Sequence, residues 1–213
     1  MRMNIFALHI KKDINMKRIL IFVSVLFFVV ALYGCGGDSE EVVRPNADTY
    51  VGQGWIEYAA GSYEAAIEQF QFALTNDPEK AEAYNGIGWA YARLGKVNDS
   101  IDNFKKATLK DPQNADAHAG LAGVYFISSN YEQAIASAKQ VLSIKLDYQS
   151  PHDKMKANNV RLLLAESYYD IGDYSSAKSQ IEQLGVYGKT FDPGSPTYLS
   201  DLLLAIEELS KKI

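Results

Sequence analysis

The sequence predicts an all-α chain, a solenoid of about four antiparallel helix pairs closed by a C-terminal helix. Three observations carry this reading. The body repeats itself every 34 residues from Ala47 onward. Glycines and prolines fall where such helices must stop, at Gly61, Gly95 and Gly172 and at Pro78 and Pro112. The last segment, about 197–212, carries Leu199, Leu202, Ile206 and Leu209 at three- and four-residue steps, with Ile213 beyond them. That is the spacing of one apolar helix face.

The chain opens with an address rather than a fold. Lys17 and Arg18 precede a 15-residue run, Ile19 to Tyr33, in which only Ser24 is polar. A charged start followed by a short apolar stretch is the pattern of a secretory signal. The run is shorter than the roughly 20 residues of a bilayer-spanning helix. Leu32-Tyr33-Gly34-Cys35 follows, and it resembles the bacterial lipobox, in which cleavage precedes a cysteine that receives lipid. Leu32, Gly34 and Cys35 match; Tyr33 departs from the small residue usual there. The resemblance implies that Cys35, the chain's one cysteine, carries several acyl chains, enough for stable attachment. Met16 stands directly before Lys17, so a second start site is available. Residues 1–35 are thus expected as a signal and lipoprotein peptide, and 36–45 as a flexible tether. The body would lie in the cell envelope, outside the cytoplasm.

The repeats come next. Asp77-Pro78 recurs as Asp111-Pro112, Gly54 as Gly88, Gly61 as Gly95, Phe70 as Phe104 and Ala73 as Ala107. A third copy keeps Leu121, Ala122, Tyr125, Tyr131 and Ala134, with Ala138 in the large aromatic column and no terminal proline. A fourth, from Asn158, keeps Leu164, Ala165, Tyr168, Gly172, Tyr174 and Ala177. These columns resemble the tetratricopeptide repeat (TPR). The resemblance implies a right-handed superhelix with three repeats over 46–148 and a fourth pair over 149–186. A loop and capping helix would fill 187–213. Residues 149–157 interrupt the period. Ser150-Pro151-His152-Asp153 reads as a helix start, so the fourth repeat's first helix is expected to be elongated, from Pro151 to Ile171.

Composition excludes several functions. Residues 36–213 carry 16 basic and 25 acidic side chains, and a net charge of −9 disfavours nucleic acid. Gly188-Lys189-Thr190 imitates the end of a phosphate-binding loop, but Gln183 stands where its first glycine belongs. No catalytic, metal-ligating or cofactor arrangement emerges, so neither an enzyme nor a small-molecule substrate is expected.

In the TPR resemblance the first helices line a concave groove that receives a protein or peptide. Carried over by repeat position, the partner-binding candidates are Gly52, Trp55 and Tyr58, then Gly86, Trp89 and Arg93, then Gly120 and Phe126, then Tyr169. Trp55 and Trp89 share a column, and they either line the groove or pack between repeats. Gly52, Gly86 and Gly120 share another, and helical glycines in register suggest a close approach, because each costs about 1 kcal/mol against alanine. Val51, Gly86 and Asp116 replace the basic clamp by which some TPR domains hold a terminal carboxylate. Three functions fit: a groove-binding envelope scaffold, a structural subunit docking by its convex face with the groove filled by its own C-terminal helix, and an accessory domain of an envelope enzyme. Intact-mass analysis of membrane extracts is expected to give a lipidated form beginning at Cys35; a form retaining residues 17–34 overturns the anchor.

Overall fold

Asn46, Asn114 and Asp173 start helices in the same way: each side chain accepts a hydrogen bond from the backbone N–H three residues on. Gly61, Gly95 and Gly172 end first helices with positive φ, the conformation that costs glycine least. Ser129 takes the same conformation in repeat three, at φ 58°. Between these signals the computed structural model, which describes residues 45–185 and 191–212, places nine helices. They are α1 Ala47–Ala59, α2 Tyr63–Asn76, α3 Ala81–Arg93, α4 Val97–Lys110, α5 Ala115–Ile127, α6 Tyr131–Ile144, α7 Ala157–Asp170, α8 Tyr174–Gln183 and α9 Tyr198–Ser210. Cys35, most of the tether and Gly188-Lys189-Thr190 lie outside the described residues.

The helices pack as consecutive pairs, α1 with α2 through α7 with α8. Each first helix also touches the first helix of the next pair. This is the expected all-helical superhelix. α9 closes it by packing on α7 and α8, where Leu202, Ala205, Ile206 and Leu209 join Ala177, Ile181 and Phe191 in one buried cluster.

One packing unit holds repeats one to three together. Phe70 and Phe104 are wholly buried, and each ring lies in a slot between two glycines. A Cβ added at Gly54 would stand 2.5 Å from the Phe70 ring. One added at Gly86, on the next repeat, would overlap the same ring. Gly88 and Gly120 flank Phe104 in the same way. The close approach at Gly86 and Gly120 is therefore made by the chain's own phenylalanines, which corrects the expectation of an outside partner there. Gly52 has no repeat before it among the described residues, and nothing lies within 4 Å of its Cβ position. Repeat three fills the corresponding places with different residues: Ala138 replaces the phenylalanine, and Ala122 and Leu163 replace the glycines, all three buried in one cluster. Ser100, at the position where repeats one and three have Ala66 and Ala134, is buried and donates its hydroxyl to the Gly88 carbonyl at 2.8 Å.

The fourth repeat corrects a second expectation. Its first helix is not elongated; α7 starts at Ala157, after Lys156 in extended conformation. Residues 149–156 form a closed loop instead. Gln149 and Lys156 make an antiparallel bridge, the Ser150 N–H donates to the Met155 carbonyl at 2.8 Å, and the Ala157 N–H donates to the Tyr148 carbonyl at 2.7 Å. Ser150 does accept the Asp153 N–H, at 3.1 Å. A local turn forms there, but Ser150 and Tyr148 are also drawn to Asp116 of α5, which holds the backbone away from a helical path.

The two glycine environments predict opposite signs for one substitution. Gly86→Ala is expected to destabilise by about 1–3 kcal/mol through overpacking on Phe70. Gly52→Ala is expected to stabilise by up to about 1 kcal/mol, since alanine is the better helix former and meets no neighbour. Urea unfolding of the two variants checks the pair.

Candidate functional site

The first helices α1, α3, α5 and α7 carry the groove residues. At one position, successive repeats present Trp55, Trp89, Gly123 and Glu166. Trp55 Nε1 donates to Glu82 at 3.3 Å, and Trp89 Nε1 donates to Asp116 at 2.8 Å. Each tryptophan thus reaches an acid on the next repeat, 27 residues on in both cases. Each also meets its own repeat's phenylalanine edge-on, with centroids 5.1 Å apart for Trp55–Phe70 and 5.5 Å for Trp89–Phe104. The tryptophans are clamps between repeats, and Trp89 also lines a cavity of the groove. The sequence pointed to Asp116 only as a replacement for a basic clamp residue, and not to Glu82 at all, although their 34-residue step stands beside the tryptophans.

Asp116 is the hub of the site. It is buried, and a buried carboxylate is costly unless its oxygens are satisfied. Four donors satisfy it. Asn85 Nδ2 at 2.9 Å and Trp89 Nε1 at 2.8 Å reach Oδ2; Tyr148 Oη at 2.6 Å and Ser150 Oγ at 2.7 Å reach Oδ1. Burial, then the nearby Asp116 charge, push the Tyr148 phenol well above its ordinary range, so it remains a donor. At a position where the clamp of other TPR domains is basic, this acid ties the 149–156 loop to the groove.

The loop tip extends those ties to repeat one. The His152 ring lies flat on Trp55, centroids 3.5 Å apart and planes 7° from parallel. Burial lowers the His152 pKa, against the opposing pull of Asp116 and Glu82. Asp153 Oδ2 accepts from Tyr58 Oη at 3.1 Å and from an Arg93 terminal nitrogen at 2.6 Å, and Arg93 Nε donates to Tyr58 Oη at 3.1 Å. Burial raises the Tyr58 phenol to about 12, although the Arg93 hydrogen bond works against the shift. The structure therefore brings Trp55, Tyr58, Trp89 and Arg93 together around a segment of this same chain. The loop covers the repeat-one part of the groove, and the C-terminal helix packs on α7 and α8 in the cluster that holds Leu162 and Tyr169.

Phe126 and Tyr169 stand apart from this cluster. Each half-buried ring packs on the tyrosine that opens its repeat's second helix, Phe126 on Tyr131 at 5.9 Å and Tyr169 on Tyr174 at 5.2 Å. Beyond the loop the groove is open. A cavity of about 410 Å3 is lined by Trp89, Ala92, Gly120, Gly123, Val124 and Ile127, with Asp153, Lys154 and Met155 of the loop as one wall.

Glu166 holds the tryptophan position of repeat four, and burial, with the nearby Asp170 charge, raises its pKa to about 7. Its ionisation opposes the fold: stability is full below the ordinary carboxylate value and falls as pH rises from there through about 7. Glu166→Gln is expected to raise the melting temperature at pH 8 and to leave it unchanged at pH 4. Thermal unfolding by circular dichroism checks both.

Comparison with known proteins agrees with this architecture. The tetratricopeptide-repeat family model matches residues 51–107 and 87–151. No curated protein matches the chain in sequence. Among solved structures, a thermophilic TPR protein of Thermus thermophilus is similar at 20% identity and TM-score 0.53, over 78% of this chain and 82% of that one. MamA AMB-1 is similar at 17% identity and TM-score 0.54, over 68% and 75%. The first TPR of Spaghetti (RPAP3), bound to an HSP90 peptide, is similar at 17% identity and TM-score 0.52, over 59% and 92%. At these identities the likeness is one of fold. Residues 51–151 match the tetratricopeptide-repeat family model, and the described residues have the fold of a tetratricopeptide-repeat superhelix.

Proposed function

We propose that this chain is a non-enzymatic protein-interaction scaffold of the bacterial cell envelope, anchored through lipid on Cys35, that holds a partner segment in its groove. The observation that carries the reading is the open cavity between repeats two and three. It exists because Gly123 stands where repeats one and two have tryptophan, and nothing lies within 4 Å of its Cβ position. One turn further, Ile127 is 73% exposed. An apolar floor beside such a side chain suits a partner's helix or extended segment. The peptide-bound RPAP3 domain supports the reading as an example of this fold holding a peptide. The missing basic clamp argues that the segment here is not a terminal carboxylate.

A second reading has its own support. The loop already covers the repeat-one part of the groove, and the second helices α2 and α4 expose Phe72 and Leu109, at 51% and 78%. A structural subunit docking by that outer face would use them.

Replacing Gly123 and Ile127 separates the two readings, because neither substitution disturbs the buried clusters. The double variant Gly123→Arg, Ile127→Arg is expected to retain its helical content and to lose partner crosslinking in native membranes by at least tenfold. Loss that occurs instead with Phe72→Asp, Leu109→Asp favours the outer-face reading and removes the groove one.

A further inference from the structure

The loop that breaks the 34-residue period folds by closing on itself. Its stem is held by the Gln149–Lys156 bridge and by the Ser150–Met155 and Tyr148–Ala157 backbone hydrogen bonds. Tyr148 and Ser150 fix that stem to Asp116. The tip, residues 151–154, has other contacts. It lays a ring on Trp55 and a carboxylate between Tyr58 and Arg93. A planar group on an aromatic face and a carboxylate on a guanidinium are the contacts by which a surface recognises a ligand. The His152 ring is half-buried on Trp55, and the Arg93 side chain remains 47% exposed although the Asp153 side chain that it meets is only 12% exposed.

Position adds a second argument. Asp153, Lys154 and Met155 form a wall of the open cavity. A segment lying in that cavity and continuing toward repeat one runs into the tip, and the surface beyond is the one the tip now covers. The Trp55 face takes the His152 ring in flat stacking, centroids 3.5 Å apart.

We propose that the tip is a resident ligand of the groove, and that Trp55, Tyr58 and Arg93 receive, in exchange for it, a partner segment in which a planar ring is followed directly by a carboxylate. The proposal rests on the groove reading above and names the chemistry of its occupant. During exchange the stem keeps its own backbone hydrogen bonds and its Asp116 contacts, while the tip side chains leave Trp55, Tyr58 and Arg93.

The test uses the purified chain and a labelled synthetic peptide with the sequence of residues 148–157, read by fluorescence anisotropy and by tryptophan fluorescence. The variant His152→Gly, Asp153→Gly empties the tip and keeps Tyr148, Ser150 and Met155. It is expected to bind the peptide at least tenfold more tightly than the unaltered chain. The gain is expected to vanish when the peptide carries Asp153→Asn, or when the protein also carries Arg93→Ala. A folded tip variant that binds no more tightly than the unaltered chain overturns the proposal, as does binding indifferent to the peptide carboxylate. If the glycine tip disturbs folding, Asp153→Asn alone keeps the side chain's size and is expected to give at least threefold tighter binding; no gain there overturns the proposal equally. No cellular partner enters this measurement. The groove reading fails separately, when Gly123→Arg, Ile127→Arg leaves partner crosslinking intact.

Discussion

The fold depends on a phenylalanine ring held between two glycines of successive repeats. Phe70 lies between Gly54 and Gly86, and Phe104 between Gly88 and Gly120. Each ring therefore belongs to two repeats at once and sets how closely they stack. The magnitudes favour the device. Two helical glycines cost about 2 kcal/mol together against alanine, whereas truncating a buried phenylalanine costs about 3–5 kcal/mol. A helix pair cannot bury its apolar face alone, so this shared ring is what makes a row of short helices cooperative. Repeat three reaches the same end with different residues, Ala122, Ala138 and Leu163, in the corresponding places.

The tryptophans build the groove on that frame. Trp55 and Trp89 stand edge-on to the phenylalanines and hydrogen-bond to acids one repeat further on. This linkage turns a packing element into a polar anchor. Asp116 accepts Trp89 on one oxygen and the loop residues Tyr148 and Ser150 on the other. Hydrogen bonds to a charged group contribute about 1.5–3 kcal/mol each, and several are needed to offset the cost of burying the carboxylate. The hub thus draws on donors from α3 and from the loop stem together, and this ties the stem to the stacking of repeats two and three.

Much of the scaffold was legible in the residues alone. The 34-residue step, Gly61, Gly95 and Gly172 as helix ends, and Phe70 and Phe104 as interior rings all stand where the spacing puts them, because they are decided within one or two repeats. At Gly86 and Gly120 a close approach was legible but not that phenylalanine makes it, because the rings sit 16 residues away on another helix; at Gly52 nothing approaches. Ser150-Pro151-His152-Asp153 was legible as a turn but not as a loop, since its side chains had competing partners elsewhere.

The sequence by itself determined the order and pairing of the helices, and Phe70 and Phe104 as the rings between them, but not where the fourth repeat's first helix begins. It also carries the lipobox-like Leu32-Tyr33-Gly34-Cys35 segment, a local pattern. The tertiary structure decided what the groove contains. Residues 149–156 have enough turn chemistry to begin a helix, yet they fold as a loop because Asp116, Trp55, Tyr58 and Arg93, contributed by three other helices, satisfy Tyr148, Ser150, His152 and Asp153 together. Tyr58 and Asp153 are 95 residues apart in sequence. Local propensity acts over a few residues, and only the stacking of three repeats brings those partners within hydrogen-bonding distance of one loop.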